Sequence, residues 1–187
     1  MMLLLDTNVW MDYYSASRAG HVKAFELIDY ASAHGIDLLY AVNSSRDVFY
    51  RVAADAKQAC REDSGGVLTD AEALAAQAVA WASVEHMHGL ATAVGSDESD
   101  VWHACKTRSI HSDYEDNLIL AAAQRAHADF LVTGDLRLLQ HSLVAALNVD
   151  DMLAYLRAND SEDTPSEGLA LGQKRTSQPE NDAPVTR

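Results

Sequence analysis

A chain of 187 residues with 48% hydrophobic residues is long enough for one domain with a sizeable core and a tail. The formal net charge of −14 argues against broad electrostatic capture of nucleic acid, although carboxylates that bind cations contribute to this sum. Cys60 and Cys105 form no disulfide or metal-binding pattern, and the apolar N-terminus is too short for a signal peptide or membrane span. We therefore expect a cytoplasmic protein that does not enter the membrane.

Short apolar runs alternate with amphipathic segments over residues 1–157. The first half of the chain is predicted to form a strand over 1–5, a helix over 19–34, a strand over 36–42 and a helix that is capped by Asn43 or Ser44 and runs to about Cys60. A further helix begins at the capping box at Thr69 and runs to about His88. The remaining predicted elements are helices over 99–107 and 116–128, a strand over 129–133, a short strand within 143–149 and a helix over 150–157. This alternation predicts an α/β fold with a mostly parallel sheet and helices on both faces.

The segment from Ala158 onward differs in composition from the rest of the chain. Small polar and acidic residues dominate it, and it holds all three prolines. Such a segment cannot bury enough apolar surface to offset its ordering entropy. We predict a folded domain over residues 1–157 and a disordered tail over 158–187.

Two aspartates follow directly on predicted strands. Asp6 ends the first apolar run, and Asp135 follows the run Phe130–Thr133 after one glycine. Sites in open parallel sheets form outside the carboxyl ends of the strands, so both acids are expected at the same edge of the sheet. Either aspartate alone is better explained by a turn or a helix cap. Two carboxylates brought together repel unless a cation neutralises them, so the pair favours a metal site.

Polar neighbours surround both aspartates in sequence. Asn8 stands two residues from Asp6 and can orient its carboxylate, and the Thr133 hydroxyl can bond a neighbouring acid. Two further segments carry acids. Glu115 and Asp116 begin a predicted helix, and Asp47 lies near the start of another, where the helix dipole alone would favour negative charge.

Four segments together resemble the PIN-domain nuclease family, and within it the VapC-like toxin ribonucleases. They are LLLDTNVWMD, SSRDVFY, DYEDNLILAAAQRAHADF and LVTGD, and the resemblance covers residues 2 to about 140. It implies a three-layer α/β/α sandwich with an acidic pocket. Mapped by motif, Asp6, Asp116 and Asp135 match the metal-binding acids of the family. Asn8 and Thr133 match its polar supporting positions, and Asp47 falls where many members carry glutamate.

Oxygen ligands in an incomplete shell suit Mg²⁺ or Mn²⁺. We therefore predict a metal-dependent endoribonuclease with Asp6, Asp47, Asp116 and Asp135 as catalytic acids and Glu115 in support. RNA as the substrate comes from the resemblance, as do an antitoxin partner and a homodimer. Substrate phosphates need cations, although each basic residue near these motifs is individually better explained as an ordinary solvated surface charge. These residues are Arg46, Arg51, Lys106, Arg108 and Arg137.

Two other readings remain open from the sequence. A phosphatase of the haloacid-dehalogenase type would begin Asp-x-Asp after the first strand, but Asn8 stands where its second aspartate belongs. A PIN fold that binds RNA or protein with little catalysis would be consistent with the acidic charge. The histidines are too scattered to favour zinc.

Overall fold

A computed structural model of the chain describes residues 1–162. Within that range the strands are β1 (Met2–Leu5), β2 (Asp37–Ala41), β3 (Thr92–Val94), β4 (Phe130–Val132) and β5 (Ala146–Leu147). The helices are α1 (Thr7–Tyr14), α2 (His21–Ala33), α3 (Val42–Asp63), α4 (Asp70–Leu90), α5 (Glu98–Thr107), α6 (Tyr114–Arg125), α7 (Leu136–His141) and α8 (Val149–Glu162).

The five strands form one parallel sheet in the order β3-β2-β1-β4-β5. The N-terminal strand β1 is therefore central, and its neighbours β2 and β4 come from distant parts of the chain. Leu3 of β1 is in register with Leu38 on one side and Phe130 on the other. Because all strands run the same way, Asp6 and the residues after β4 meet at one edge of the sheet, as the sequence predicted.

Alternate residues of the central strands face two separate hydrophobic cores. Leu3 and Leu5 pack with α1, α2, α3, α4 and α8, whereas Leu4 and Leu131 pack with α6 and α7. All four leucines are fully buried, as expected for strands covered on both faces. The predicted three-layer α/β/α sandwich with a parallel central sheet is confirmed.

Three short elements and one cap differ from the sequence prediction. Helices α1 and α7 and strand β3 were not predicted; each has at most eight residues, too few for a clear period. Neither Asn43 nor Ser44 caps α3, which begins at Val42 after Ala41. The Ser44 side chain is instead buried against α1, with its hydroxyl 2.9 Å from that of Thr7. The predicted capping box of α4, between Thr69 and Glu72, is present.

The last helix runs beyond the predicted domain boundary. Helix α8 reaches Glu162, so residues 158–162, which the sequence placed in the disordered tail, are helical. The rest of the predicted tail, 163–187, lies outside the described residues. Within residues 1–162, none of the helices combines the length and apolar character needed to cross a membrane.

The central position of β1 predicts a large stability effect for Leu4, which is 0% exposed. We expect Leu4→Ala to lower the free energy of unfolding by about 2–5 kcal/mol, because it removes buried methyl groups and leaves a cavity. Urea unfolding followed by circular dichroism measures this. Leu74→Ala on α4, where Leu74 is 67% exposed, is the matched control and should change stability by less than about 0.5 kcal/mol. Equal effects of the two substitutions would contradict the central placement of β1.

Candidate functional site

An acidic pocket lies at the edge of the sheet where β1 and β4 end. Its volume is about 180 Å³, and its lining combines carboxylates with two arginines. The acids are Asp6, Asp113, Glu115, Asp116 and Asp135, and the arginines are Arg18 and Arg51. Asn8 also lines the pocket, whereas Thr133 lies beneath it and Asp47 lies beside it. Side chains up to 129 positions apart along the chain thus share one opening.

The Asp6 carboxylate is held by one donor at the start of α1 and one just after β4. Its Oδ2 accepts hydrogen bonds from Thr133 Oγ1 and Asn8 Nδ2, each at 2.6 Å. Asn8 Nδ2 also lies 3.2 Å from Thr133 Oγ1, and Asn8 Oδ1 accepts from the backbone N–H of Gly134. Asp6 is 3% exposed, so this network fixes a nearly buried acid at the floor of the pocket. These are the contacts the sequence suggested for Asn8 and Thr133.

Asp135 reaches the same pocket from the end of β4. It is also the N-cap of α7, with its Oδ1 accepting from the backbone N–H of Arg137 at 2.7 Å and of Leu138 at 3.3 Å. Its own backbone N–H donates to Thr133 Oγ1 at 3.0 Å. The capping explanation and the pocket placement therefore both hold for Asp135, because a cap uses one carboxylate oxygen and leaves the other available.

The first turn of α6 supplies the other acids. Asp113 is the N-cap, with its Oδ1 accepting from the backbone N–H groups of Glu115 and Asp116. Glu115 and Asp116 follow it, and both point into the pocket. On the far side of Asp116 lies the buried ring of His111, whose Nε2 is 3.4 Å from Asp116 Oδ2.

Asp47 approaches the pocket through Glu115 rather than lining it. Asp47 Oδ2 is buried and has no hydrogen-bond partner among the described residues, while its Oδ1 pairs with Arg46 at 3.1 Å. Burial raises the pKa of Glu115, and so does the negative charge of the neighbouring Asp47 carboxylate. A single proton shared by this pair would satisfy Asp47 Oδ2.

The pocket acids hold protons more tightly than ordinary aspartates. Burial is the main cause that raises the pKa of Asp6 to about 6, and the nearby Glu115 and Asp135 charges add to it against the hydrogen bond from Thr133. Burial likewise raises the pKa of Asp116 to about 6, with further contributions from Asp113, Asp6 and Asp135. These acids raise one another's pKa, so they lie close enough to repel, and a bound cation would neutralise their charge.

Hard oxygen donors, like-charge repulsion and a polar opening fit a Mg²⁺ or Mn²⁺ ion. Among residues 1–160, however, no three His, Cys, Asp or Glu side chains are already grouped closely enough to enclose a metal. A cation here would therefore be held by a few carboxylates, with water completing its shell. Magnesium typically binds proteins in this way, through one or two carboxylates and several waters.

Of the basic residues considered from the sequence, only Arg51 lines the pocket. Arg46 pairs with Asp47, and the Lys106 ammonium lies over the Trp102 ring. Arg108 and Arg137 are exposed. The sequence reasoning missed Arg18, which lies in the loop between α1 and α2, because no local pattern ties that loop to the pocket.

An ion pair between Arg18 and Asp12 holds the Arg18 loop in place. The Arg18 Nε donates to Asp12 Oδ1, and a Cβ on Gly20 would lie only 2.1 Å from Asp12 Oδ2. The His21 ring also bonds the Asp12 backbone carbonyl, with Nδ1 3.0 Å from the oxygen. The lack of a side chain at Gly20 thus allows Asp12 to sit where it fixes Arg18.

These features define an α/β domain with a parallel sheet and an acidic pocket at the carboxyl ends of its central strands. The sequence model of the PIN domain matches residues 2–137, and the chain belongs to this family. No curated protein matches the chain in sequence.

Solved structures share the fold at low sequence identity. VapBC2 from Rickettsia felis, bound to a DNA fragment from its promoter, has a TM-score of 0.56 and 10% identity, covering 79% of this chain and 98% of that chain. VapC20 from Mycobacterium tuberculosis, described as a sarcin-ricin loop cleaving toxin, has a TM-score of 0.51 and 10% identity, covering 69% and 86%. PAE2754 from Pyrobaculum aerophilum has a TM-score of 0.53 and 15% identity, covering 84% and 96%. At these identities the likeness establishes the fold alone.

The raised pKa of Asp116 predicts how stability depends on pH without metal. With a folded-state pKa of about 6 against an ordinary 3.8, the folded protein binds more protons than the unfolded chain between these values. The free energy of unfolding should therefore fall as pH rises from about 4 to 6, with the loss complete above pH 6. Asp116→Asn cannot ionise, so its thermal midpoint should exceed that of the wild type near pH 7.5 but not near pH 4.

Thermal unfolding in a chelating buffer at both pH values measures this effect. Asp29→Asn on the exposed face of α2 is the control and should follow the wild type at each pH. A destabilised Asp116→Asn at neutral pH would contradict the repulsion among the pocket acids.

Proposed function

We propose that this protein is a metal-dependent endoribonuclease that hydrolyses RNA phosphodiester bonds. The observation that carries the proposal is the convergence of Asp6, Asp116 and Asp135 on one pocket at the edge of the sheet. Membership of the PIN domain family and the likeness to VapC20 support nuclease chemistry and RNA as the substrate class. The intact acid set favours catalysis over a domain that only binds RNA.

The three aspartates would hold Mg²⁺ or Mn²⁺, with Asn8 and Thr133 keeping Asp6 in place. A bound divalent ion supplies two effects: it lowers the pKa of water, and it neutralises charge that develops on the phosphate. The fold supplies rigidity, because Asp6 is bonded to Asn8 on α1 and to Thr133 after β4, and Asp135 caps the start of α7. A preorganised acid set needs little reorganisation during the reaction.

Glu115 and Asp47 are the groups suited to move a proton. Water attacks the phosphorus and gives its proton to a base, while the leaving oxygen departs with the bonding electrons and takes a proton from solvent. The raised pKa of Glu115 makes its carboxylate a stronger base than an ordinary glutamate, and Asp47 beside it can share the proton. No covalent bond between protein and substrate is needed.

Arg18 and Arg51 are the cations placed to bind substrate phosphate. Both line the pocket, and Arg51 also lowers the pKa of Glu115 through its charge. Guanidinium groups bind phosphate oxygens through two parallel hydrogen bonds. These two arginines explain how an acidic protein can receive RNA: the substrate needs local cations at the cleaved bond, not a basic surface overall.

Substitution of the pocket acids tests the proposal directly. We expect Asp6→Asn and Asp135→Asn to lower RNA cleavage with Mg²⁺ by more than about a hundredfold, since changes around metal ligands alone cost 10–100-fold. Asparagine is also a good N-cap, so Asp135→Asn removes charge while keeping the cap of α7. Cleavage of a fluorescently labelled single-stranded RNA, with and without Mg²⁺, is the measurement.

Asp29→Asn is the matched control for these two variants and should cleave like the wild type. Cleavage that persists in chelator, or that Asp6→Asn leaves unchanged, would refute the metal-dependent mechanism. RNA binding without cleavage by the wild type with Mg²⁺ and Mn²⁺ would instead support the binding-module alternative. Hydrolysis of small phosphate esters but not RNA would favour a phosphatase.

The two arginines should act on substrate binding more than on chemistry. We expect Arg18→Ala and Arg51→Ala each to raise KM for RNA about tenfold, a loss of about 1.4 kcal/mol, with little change in kcat. Each should also reduce, by about 0.7, the magnitude of the slope of log affinity for single-stranded RNA against log salt concentration. Arg61→Ala, in the exposed last turn of α3, is the control. A loss confined to kcat would contradict a role in phosphate binding.

A more specific proposal is that this nuclease is the toxin of a toxin-antitoxin pair. It is supported by the likeness to VapBC2 and VapC20, and it implies an antitoxin partner and a homodimer. Induced expression in a bacterial host should arrest growth for the wild type and not for Asp6→Asn. Light scattering of the purified protein measures the dimer. Growth unaffected by wild-type protein that cleaves RNA in solution would separate a nuclease from a toxin.

A further inference from the structure

His111 is a buried histidine with unused hydrogen-bonding groups. It lies in the turn between α5 and α6 and is 3% exposed. Neither ring nitrogen has a hydrogen-bond partner among the described residues. An unsatisfied buried polar group costs about 1–3 kcal/mol, so such a ring has a strong tendency to bond any acceptor within reach.

The backbone around His111 is fixed by a buried polar network. Thr107 Oγ1 donates to Asn117 Oδ1 at 2.9 Å, and Asn117 Nδ2 donates to the His111 carbonyl at 2.8 Å. The His111 backbone N–H in turn donates to the Thr107 carbonyl at 2.9 Å. Thr107 and Asn117 are themselves buried. The end of α5 is thereby tied to the start of α6, and the ring cannot readily move out of its place.

The fixed ring faces one acid of the pocket. Its Nε2 lies 3.4 Å from Asp116 Oδ2, and within residues 1–160 no other carboxylate oxygen lies within 4 Å of it. This separation is slightly longer than the 2.7–3.2 Å of an N–H···O hydrogen bond. The Asp116 side chain is 21% exposed and opens to the pocket, so a small rotation closes the gap.

We infer that His111 is a positioning residue for Asp116: its Nε2–H donates to one carboxylate oxygen and thereby presents the other to a cation in the pocket. The inference requires only that Nε2 carry a hydrogen. It rests on the cation site of the proposed function but not on RNA as the substrate. Hydrogen bonds to metal-binding carboxylates fix their orientation, and losing such a partner typically costs 10–100-fold in metal affinity.

Metal binding to the full-length protein tests this without any assay of cleavage. The probe is Mn²⁺ alone, titrated near pH 7.5 and followed by the electron paramagnetic resonance signal of the free ion. We expect His111→Ala to weaken Mn²⁺ binding by 10–100-fold. His111→Gln should recover most of the affinity, because its amide N–H can stand near the position of Nε2. His111→Asn places its amide near Nδ1 and should recover less.

His103→Ala is the matched control. His103 is a half-buried histidine on α5 whose Nδ1 also has no partner among the described residues, and it does not line the acidic pocket. We expect it to bind Mn²⁺ like the wild type. A purely structural role for His111 would lower thermal stability equally in the alanine and glutamine variants and leave their Mn²⁺ affinities alike.

Several outcomes would overturn the inference. A folded His111→Ala that binds Mn²⁺ as the wild type does, or a His111→Gln no better than the asparagine variant, would each do so. If His111→Ala does not fold, the comparison of the glutamine and asparagine variants decides. Wild-type protein that binds no Mn²⁺ would remove both the inference and the metal-dependent function. Wild-type protein that binds Mn²⁺ through His111 but cuts no RNA would remove only the proposed function.

Discussion

The candidate site depends on the pairing of β1 with β4 and on the hydrogen bonds that join the ends of these strands. Thr133 and Asn8 both donate to Asp6, and Asn8 also accepts from the backbone after β4. These bonds hold a carboxylate almost out of contact with water, where its negative charge is costly. The fold maintains this acid because two hydrophobic cores, one on each face of the sheet, fix α1 and β4, which position its partners.

Without a bound cation, the negative charges of the pocket acids repel one another. Burial and mutual repulsion raise the pKa values of Asp6 and Asp116 to about 6. A site that is destabilising by itself is typical of functional sites, where the rest of the fold supplies the needed stability. Two arginines on the pocket lining provide local positive charge that the net charge of −14 conceals.

The sequence predicted those features that follow from local patterns. Apolar runs that end in aspartate indicated β1 and β4, and parallel pairing then placed Asp6 and Asp135 at one edge. Features that depend on the path of loops could not be predicted in this way. Arg18 lies in the loop between α1 and α2, and His111 lies in a turn whose geometry depends on Thr107 and Asn117. Nothing in their immediate sequence distinguishes them from ordinary surface or core residues.

The sheet order also has a consequence for how the pocket comes into existence. Strand β1 pairs with β2 on one side and with β4 on the other, and β4 is synthesised more than 120 residues after β1. An N-terminal fragment that ends before β4 therefore contains Asp6 and Asn8 but lacks Thr133, Asp135 and the strand that brings them near. During synthesis Asp6 and Asp135 can therefore meet only after most of the domain has emerged from the ribosome, and a chain that stops before β4 lacks a complete pocket.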